Sequence, residues 1–557
     1  MFQVQKPYGA RTSGFLNFDS GMVDYDLYEK IELHVKCVAN RRGENMIQYR
    51  TFTLTFNGAE PQGSWSEINL TAEFTCNGIT KKVSGFYAGE GRYEVRYLPQ
   101  EIGEVEWEVT GLFSAEGKEV CEPCTDGIHH GVVKPDGTAM KYEDCTICRT
   151  FGTTVYAMMH QPKEVIAQTM DTMLHSPFNK IRTCVFPKHY VFNENEPEYF
   201  AFERNEEGSF DFHRPCMKFW DAMDEMIQTF DEHEIQVDLI VFHPYDWWGF
   251  AKMTKEQYVP YLTYLLARLA AYPNVWWSLA NEYDCMTAFS KEDWARIENY
   301  ISEKDVFGHM LSCHYMLEAY DYSSKNVTHC SVQGDVTEVE NLMKQYGKPV
   351  LMDEFGYEGN IFCHWGNLSA FEEVHRFWLC CVMGGYGTHG ETYMNDTDTL
   401  WWGKGGKLVG ESPARIGFLR EIIEELPGAL EPVASTFVTP ELLIAAKNGE
   451  IEIPQDDFIR AVLRLPIERA VEVVRGLTKD TRIYTGHCDE DAYLAYYGRH
   501  CTAEGDLELP ENHTYDVEVL DVWEMTRKTI LTGVSGKVKL VLPGKEGIAV
   551  LAKRIDK

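Results

Sequence analysis

The sequence predicts a (β/α)8 barrel that lies between two β-sandwich modules. Three observations predict this fold class. Eight short apolar runs alternate with helix-length amphipathic stretches between residues 151 and 428, short strands of alternating polarity precede that region, and similar strands follow it. With 557 residues, the chain is also too long for a single hydrophobic core.

The apolar runs of the central region have the length and composition of strands that are buried on both faces. In chain order they are TVYAMMH at 154, KIRTCVFP at 180, VDLIVFHP at 237, NVWWSLANE at 274, GHMLSCHY at 308, NVTHCSVQG at 326, PVLMDEFG at 349 and GYGTHGE at 385. Amphipathic segments such as EQYVPYLTYLLARLAAY separate most of these runs, and SPARIGFLREIIEEL ends the region. About 275 residues is the usual size of a (β/α)8 barrel, whereas an open doubly wound sheet does not need eight parallel strands.

The flanking regions alternate apolar and polar residues between clusters of turn-forming residues, which is typical of antiparallel sheets. Residues 1–112 contain KIELHVKCVA, YRTFTLTFNG and EVEWEVTGLF, and residues 429–557 contain YDVEVLDVWEMT, KVKLVLPG and GIAVLAKRI. Residues 113–150 are polar and rich in Gly and Cys, so we predict an irregular connector there. Neither module shows a row of aromatic residues suited to glycan binding, so we expect them to serve in packing or in forming a homo-oligomer.

The charge and hydropathy of the chain exclude two classes of partner. A formal net charge of −34 at pH 7 repels nucleic acid and anionic membrane surfaces. No run approaches the roughly 18 to 20 apolar residues of a membrane span, and MFQVQKPYGARTSGF lacks the basic start and apolar stretch of an export signal. We therefore expect a cytoplasmic protein whose 16 cysteines are mostly free thiols.

Candidate functional residues are the polar side chains at the carboxyl ends of the predicted strands, because the active sites of (β/α)8 barrels lie there. Following the strands in order, they are His160, Arg182, His243 and Asp246, Asn281 and Glu282, His314, Gln333, Asp353 and Glu354, and His389 and Glu391. A purely structural barrel does not need so many charged groups at one end, since each of them costs desolvation unless it is paired.

Two of these carboxylates, Glu282 and Glu354, each follow an apolar strand. They end the runs WWSLANE and VLMDE on strands four and seven, which face each other across the barrel mouth. Cleavage of a glycosidic bond requires such a pair, with one acid to protonate the departing oxygen and one carboxylate to meet the positive charge at the anomeric carbon. The alternative is that each glutamate only forms a salt bridge with a barrel Arg or Lys, but their joint placement favours catalysis.

These glutamates belong to a pattern that resembles a known group of enzymes. Asn281-Glu282 after strand four and Glu354 after strand seven resemble the catalytic residues of clan A glycoside hydrolases, which are retaining (β/α)8 enzymes. The stretches SPFNKIRTCVFPKHY, VFHPYDWWGF, NVWWSLANEYD, YGKPVLMDEFGYEGN and HGETYMNDTDTLWWGKGG resemble, more closely, a bacterial family. Its members combine an N-terminal sandwich module of unassigned function, an apiosidase-like barrel and a C-terminal β-module. The resemblance covers nearly the whole chain but does not transfer a substrate.

The resemblance implies a role for each of four residues. Glu282 is the general acid/base, whose pKa a Trp-rich wall would raise, and Glu354 is the ionised nucleophile. Arg182 is the counter-charge of the nucleophile, and Asn281 hydrogen-bonds the sugar 2-hydroxyl. Two structural alternatives stay open, since Arg182 could brace the barrel mouth and Asn281 could be a buried amide that the backbone satisfies.

The other candidates are expected around this pair. His314 and Gln333 would orient the acid/base or bind sugar hydroxyls, and Asp353 should face the helix layer because side chains alternate along a strand. Glu391 is a rival nucleophile, which we assign to the binding of substrate hydroxyls. Further substrate contacts are expected from His160, His243, Asp246 and His389, and from the aromatic platforms Trp365 and Trp402.

A metal site is the strongest competing interpretation of the cysteines. Cys121 and Cys124, followed by Cys145 and Cys148, have the spacing of a structural zinc site. They lie in the predicted connector, and the family that the sequence resembles does not rely on a metal, so we expect no metal and no cofactor. MMHQP at the end of strand one also lacks the HxH motif of metal-dependent barrel hydrolases.

The sequence thus predicts a retaining exo-glycosidase that removes a terminal sugar from short oligosaccharides or small glycosides. Retention requires carboxyl groups of Glu282 and Glu354 that lie about 5 to 5.5 Å apart, whereas inversion needs about 6.5 to 9.5 Å. Two other functions stay open: a carbohydrate-binding protein that kept the scaffold without the chemistry, and a metal-dependent barrel hydrolase.

Overall fold

The structure is a computed structural model that describes residues 45–396, 400–433, 440–453 and 457–556. It contains an N-terminal β-domain, a central barrel of parallel strands and a C-terminal β-domain. This architecture confirms the predicted fold class. The predicted strand KIELHVKCVA at residue 30 lies outside the described residues.

The N-terminal domain packs two antiparallel sheets face to face. One sheet has the strand order Ile79–Ser84, Leu70–Cys76, Gly103–Gly111 and Ala115–Cys121, and the other has Phe52–Asn57, Arg92–Tyr97 and Phe86–Tyr87. The Phe74 ring stacks on Tyr97 of the facing sheet at 4.2 Å between centroids. Alternate residues of Leu70–Cys76 are buried, as the period of two in the sequence predicts.

The segment predicted as an irregular connector contains regular strands. Ala115–Cys121 is an edge strand of the N-terminal sheet, and Val133–Asp136 pairs with Ala139–Tyr142 in a hairpin. The sequence AEGKEVC buries only its last residue fully, so it carries no apolar face from which a strand could be recognised. Charged side chains of this kind are typical of exposed edge strands.

Each of the eight predicted apolar runs overlaps one parallel strand of the barrel, although the first run, TVYAMMH, shares only Thr154 with its strand. Barrel strands one to eight are Gly152–Thr154, Lys180–Cys184, Gln236–Phe242, Val275–Ala280, Leu311–Ser312, Cys330–Gln333, Val350–Glu354 and Tyr386–His389. Their spatial order is five, four, three, two, one, eight, seven, six, and all pairs are parallel. A bridge between His314 and Ser331 joins the two ends of this order, so the sheet is nearly closed.

Helices surround the barrel, and the fourth and sixth of them begin at serine caps. They are Lys163–Leu174, Met217–Asp231, Lys255–Leu269, Lys291–Lys304, Val339–Tyr346, Ala370–Val382 and Ser412–Glu424. The side chains of Ser290 and Ser369 accept hydrogen bonds from the first turns of the fourth and sixth helices. Residues 313–329, which connect strands five and six, form no helix.

The barrel interior below the mouth contains a buried ion network. The Lys180 ammonium lies 2.8 Å from Asp238 and 3.1 Å from Asp353. Asp353 also accepts hydrogen bonds from Ser331 and Thr388. Because these partners come from strands two, six and eight, Asp353 faces the barrel interior and not the helix layer, which corrects the prediction from simple alternation. The pairing of strands six and seven shifts register between Val332 and Gln333, so the alternation is interrupted there.

The C-terminal domain is built on a six-stranded antiparallel sheet. Its order is Glu431–Pro432, Tyr484–Cys488, Ala492–Tyr496, Ile548–Arg554, Tyr515–Asp521 and Thr526–Val534, and Glu504–Glu508 pairs with Lys537–Val541 beside it. The structure differs from the predicted all-β module in one segment, where it places the helices Pro440–Lys447, Asp457–Leu463 and Ile467–Thr481. These helices pack on each other through their own small core, which includes Leu443, Val462 and Ala470.

Buried ion pairs join the N-terminal domain to the barrel. Both terminal nitrogens of Arg96 bind the Asp224 carboxylate at 2.9 Å, and the Arg268 guanidinium binds the same carboxylate at 2.8 to 3.0 Å. Arg96 and Arg268 are 8% and 1% exposed. In the part of the chain that is described, no helix combines the length and the apolar composition that a membrane crossing requires.

Candidate active site

Glu282 directly follows barrel strand four in an unusual backbone conformation. Its φ of 56° and ψ of 56° lie in the left-handed region, which costs free energy for a residue other than glycine. The side chain is 4% exposed, and the Tyr245 hydroxyl donates a hydrogen bond to its carboxylate. The sharp turn after the strand thus places Glu282 beside a residue that follows strand three.

Glu354 ends strand seven among residues of the first, second and fourth strands. The Tyr156 hydroxyl donates a hydrogen bond to its Oε1, and the Arg182 Nη1 lies 3.7 Å from the same oxygen. Arg182 is fully buried and also lies 3.6 Å from Asp238. Arg182 therefore lies where it can act in both expected ways, as a positive charge beside Glu354 and as a brace inside the barrel.

The two glutamates interact electrostatically in a buried environment. Burial and then the charge of Glu282 raise the pKa of Glu354 to about 7, against the opposing charges of Arg182 and Lys188. Two neighbouring carboxyls cannot easily lose both protons in a low dielectric. In the structure the raised pKa belongs to Glu354, the residue expected to be the nucleophile.

Asn281 lies between these groups with one polar atom unused. Its Oδ1 accepts hydrogen bonds from Tyr156 at 3.0 Å and from Arg182 at 3.1 Å. Its Nδ2 is buried and has no hydrogen-bond partner among the described residues. The oxygen is therefore oriented by the barrel, and the amide N–H groups are available to an acceptor that enters the site.

His314 ends its strand close to Glu354. Its Nε2 lies 3.9 Å from Glu354 Oε1, and neither ring nitrogen has a hydrogen-bond partner within the described chain. Burial, followed by the charge of Arg182, lowers the pKa of His314 well below its ordinary value, so the ring is neutral. A neutral imidazole can donate to or accept from a substrate hydroxyl.

Aromatic rings form one wall of the site. The rings of Trp365 and Trp402 lie 4.9 Å apart, and Trp402 also contacts Tyr156, Tyr190 and Tyr357 at 5.4 to 6.0 Å. Trp402 is 6% exposed. Both tryptophans that are predicted as platforms therefore belong to this wall, in which Trp402 contacts Tyr156, the residue that donates a hydrogen bond to Glu354.

Three predicted histidines pack into the scaffold. His160 stacks on Phe219 of a surrounding helix, His243 binds the carbonyl of Phe186, and His389 binds Thr153. Burial lowers the pKa of each of these histidines to about 3, so all three are neutral. The structure does not join them to the carboxyl pair by a hydrogen bond or an ion pair.

Two further predicted residues lie in loops at the strand ends. Both carboxylate oxygens of Asp246 accept backbone hydrogen bonds, from residues 248, 249 and 251, so Asp246 stabilises its own loop. Gln333 pairs with Glu354 in the register of strands six and seven, and its buried Oε1 has no hydrogen-bond partner among the described residues. Gln333 is thus close in the fold to Glu354, while Asp246 has a structural role.

Glu391 belongs to a second group of carboxylates. Its Oε1 accepts the backbone N–H of Val409, and burial raises its pKa to about 7. The charge of Glu358 acts on it, and Glu358 in turn accepts the backbone N–H groups of Glu411 and Ser412. These contacts hold the loop that precedes the last barrel helix.

The cysteine pairs do not form a four-cysteine zinc site. Burial raises the pKa of the Cys121 and Cys148 thiols to about 12. Among the described residues, the one group of at least three potential metal ligands within 4.8 Å is Cys124, Asp126 and His129. Asp126 already accepts hydrogen bonds from the His129 ring and backbone, and the other nitrogen of that ring lies 3.4 Å from Asp231, so both nitrogens of the His129 ring already face carboxylates.

Three residues of the site were not predicted from the sequence: Tyr156, Tyr245 and Lys188. The two tyrosines stand within the runs TVYAMMH and VFHPYDWW, but a tyrosine near a strand end is also a common packing residue. Lys188 follows strand two in FPKHY, and a lysine between aromatic residues at a strand end was the one available indication. Only the fold shows that the three side chains meet.

Family models match all three parts of the chain. Residues 150–411 match the apiosidase-like catalytic domain, residues 45–111 match a domain of unknown function, DUF5060, and residues 482–553 match another, DUF5605. A comparison with curated proteins gave no match.

One solved structure covers most of this chain, and two others share its fold over about three quarters of it. The crystal structure of a candidate glycoside hydrolase from Bacteroides vulgatus ATCC 8482 is 30% identical, with a TM-score of 0.78 over 92% of this chain and 100% of that chain. A glycoside hydrolase at 13% identity has a TM-score of 0.56 over 77% of this chain and 98% of its own. A glycoside hydrolase family 5 structure, also from Bacteroides vulgatus ATCC 8482, has a TM-score of 0.53 at 14% identity over 77% and 94% of the two chains.

The barrel, the match to the apiosidase-like catalytic domain and the relative at 30% identity identify a glycoside hydrolase, whose substrate is a carbohydrate. Within that class, the chain belongs to the family that combines an apiosidase-like catalytic domain with an N-terminal DUF5060 domain and a C-terminal DUF5605 domain. The family that the sequence resembles is thus confirmed.

Proposed function

We propose that this hydrolase is a retaining exo-glycosidase, with Glu282 as general acid/base and Glu354 as nucleophile on a catalytic unit of residues 151–428. The observation that supports this most is the pairing of a buried glutamate after strand four, Glu282, with a largely buried glutamate at the end of strand seven, Glu354. Each accepts a hydrogen bond from its own tyrosine, and the charge of one raises the pKa of the other. A pair of this kind holds one proton and one negative charge, as the double displacement requires.

The proposed reaction assigns each proton and bond to a named group. The Glu354 carboxylate attacks the anomeric carbon and forms a glycosyl ester, while Glu282 gives its proton to the departing glycosidic oxygen. The Glu282 carboxylate then takes a proton from water, and that water attacks the anomeric carbon and releases Glu354. Arg182 and Tyr156 stabilise the anionic form of Glu354 at the start and end of the cycle.

Several contacts around the pair support the binding of one terminal sugar. Asn281 and His314 present unpaired polar atoms, and the wall of Trp365 and Trp402 offers an apolar face. Sugars combine apolar faces with hydroxyls, so both kinds of surface are expected in their pockets. The low exposure of Glu282 and Trp402 favours an enclosed site over an open cleft.

Exchange of either glutamate for glutamine tests the proposed chemistry. We expect Glu282→Gln and Glu354→Gln each to lower kcat by about 10³-fold or more on 4-nitrophenyl glycosides, since each removes a reacting group. Proton NMR of the first product formed by the unaltered enzyme reports retention, and stepwise shortening of oligosaccharides reports exo-action.

Glu298→Gln is the matched control. Glu298 is a buried glutamate that accepts a hydrogen bond from Tyr320 at 2.7 Å, but it lies on a surrounding helix. Its exchange should leave kcat within about twofold. Full hydrolysis by either site variant, or an inverted product, would overturn the proposal, and sugar binding without any turnover by the unaltered protein would favour a carbohydrate-binding function.

A further inference from the structure

Lys188 is a buried lysine that lies within a cage of aromatic rings. It follows barrel strand two and is 2% exposed. Its ammonium lies 3.4 Å from the centroid of the Tyr156 ring and 4.4 Å from that of Tyr245, with Tyr190 and Trp402 at 5.4 and 5.5 Å. Ring faces attract a cation but do not accept its N–H groups as an oxygen does.

The ammonium has no acceptor in the part of the chain that is described. No carboxylate lies within 4.0 Å of it, and no oxygen accepts a hydrogen bond from it there. An ammonium carries three donors, and a buried charge without a hydrogen-bond acceptor is costly. A group of this kind in an enzyme pocket is expected to be completed by an oxygen of the ligand.

The position of Lys188 connects the two halves of the catalytic pair. Tyr156, whose ring lies below the ammonium, donates to Glu354, while Tyr245 donates to Glu282. The two rings nearest to the ammonium therefore belong to the two tyrosines that donate hydrogen bonds to Glu354 and Glu282. Burial lowers the pKa of Lys188, and the nearby Cys184, Glu282 and Glu354 oppose that change.

Other cations near the pair have carboxylate neighbours, although Nε and Nη2 of Arg182 have no hydrogen-bond partner among the described residues. Arg182 binds Asn281 and interacts with both Asp238 and Glu354, and Lys180 is held between Asp238 and Asp353. Lys188 differs from both, because its ammonium has neither an ion pair nor a hydrogen bond among the described residues. This difference favours a ligand-binding role for Lys188, because the carboxylate neighbours of Arg182 and Lys180 already give those two residues a structural role.

We propose that Lys188 contacts the substrate, donating a hydrogen bond to an oxygen of the sugar that lies between Glu282 and Glu354. Because its ammonium lies 3.4 Å from the ring of Tyr156, which donates to Glu354, we also propose that its charge favours the anionic form of Glu354. This inference rests on the proposed glycosidase function. Because the transition state gains positive charge at the anomeric carbon, the ammonium must serve an oxygen away from that carbon. The acceptor is a sugar hydroxyl or a sugar carboxylate, which share this chemistry.

Lys188→Met tests the proposal with a neutral side chain of similar length. On the 4-nitrophenyl glycoside that the unaltered enzyme hydrolyses fastest, we expect kcat/KM to fall by about tenfold or more, mostly through KM. The high-pH limb of the rate profile should move up by about one pH unit, since removal of a cation favours the protonated form of Glu354. Lys188→Arg keeps the positive charge, so the high-pH limb should return to its position in the unaltered enzyme. Its KM should return only part of the way to the value of the unaltered enzyme, because guanidinium geometry differs from that of ammonium. A larger loss on a uronide than on the matched neutral glycoside identifies a carboxylate acceptor, and an equal loss identifies a hydroxyl.

An infrared readout keeps the test independent of turnover. With 13C-labelled glutamate, the carboxylate band that disappears in Glu354→Gln reports the titration of Glu354, and its midpoint should rise in Lys188→Met. Lys163→Met is the control, since Lys163 lies over the Tyr199 ring outside the site and should change neither readout. An unchanged KM, pH limb and infrared midpoint in Lys188→Met would overturn the inference while the Glu282 and Glu354 variants still test the chemistry.

Discussion

Glu354 is surrounded by groups that act on its proton in opposite directions. Burial and the charge of Glu282 favour the protonated form, whereas Arg182, Lys188 and the Tyr156 hydroxyl favour the anion. Groups of this kind, with opposing influences in one small site, allow a carboxyl to change its protonation near neutral pH. In the proposed mechanism, this balance allows two chemically identical side chains to serve as an acid and a carboxylate.

The pH dependence of the rate follows from this balance. The active form of the pair carries one proton, and the pair loses that proton as pH rises through about 7, the raised pKa of Glu354. We therefore expect kcat/KM to fall as pH rises above about 7 and, at lower pH, to fall again when both carboxyls are protonated. Tyr156→Phe removes a donor to the anion, so it should move the upper limb to higher pH. An upper limb that lies several units above 7, or that does not move in Tyr156→Phe, would contradict this account.

The residues that could be predicted from the sequence are those whose chemistry is rare at a strand end. Glu282, Glu354, Asn281 and Arg182 are charged or amide groups that follow apolar runs, and the structure brings all four together. Tyr156 and Tyr245 could not be selected, because a phenol is equally suited to packing. The histidines at the strand ends are polar, and this predicts that they lie at the rim. The sequence does not show that neighbouring scaffold residues pack against them.

At the scale of elements, apolar runs of strand length identified all eight barrel strands. The run GHMLSCHY yields only the short strand Leu311–Ser312, and the connection that follows it forms no helix. The strand Ala115–Cys121 escaped prediction because an exposed edge carries no apolar face. The helices after residue 440 are not predicted, because the alternating pattern of the strands that follow them favours an all-β module for the whole region.

The contact between the N-terminal domain and the barrel helices depends on a buried carboxylate. Asp224→Ala would leave the guanidinium groups of Arg96 and Arg268 without their shared partner, and both are nearly inaccessible to water. We expect the free energy of the first unfolding transition in urea to fall by about 3 to 5 kcal/mol. Lys82→Ala, which removes an exposed ion pair with Glu73, should cost less than about 1 kcal/mol. Equal effects of the two variants would show that the buried network does not hold the domains.

The molecule has three domains, and the carboxyl pair lies at one end of the central barrel. The flanking β-domains have their own cores or contacts with the helical layer, and none of their residues was found among the groups that bind Glu282 or Glu354. Their role in forming a homo-oligomer and the cytoplasmic location stay predictions. The net charge of −34 is spread over a surface that repels polyanions, which agrees with a carbohydrate substrate.

Azide rescue of small-residue variants tests the roles of the two glutamates most directly. With a 2,4-dinitrophenyl glycoside, Glu282→Ala should form the glycosyl ester on Glu354, which azide then attacks to give a glycosyl azide of retained configuration. In Glu354→Ala, azide should attack the anomeric carbon directly and give the inverted glycosyl azide. The opposite stereochemical outcomes, or no azide product from either variant while the unaltered enzyme remains active, would contradict the assignment of the pair.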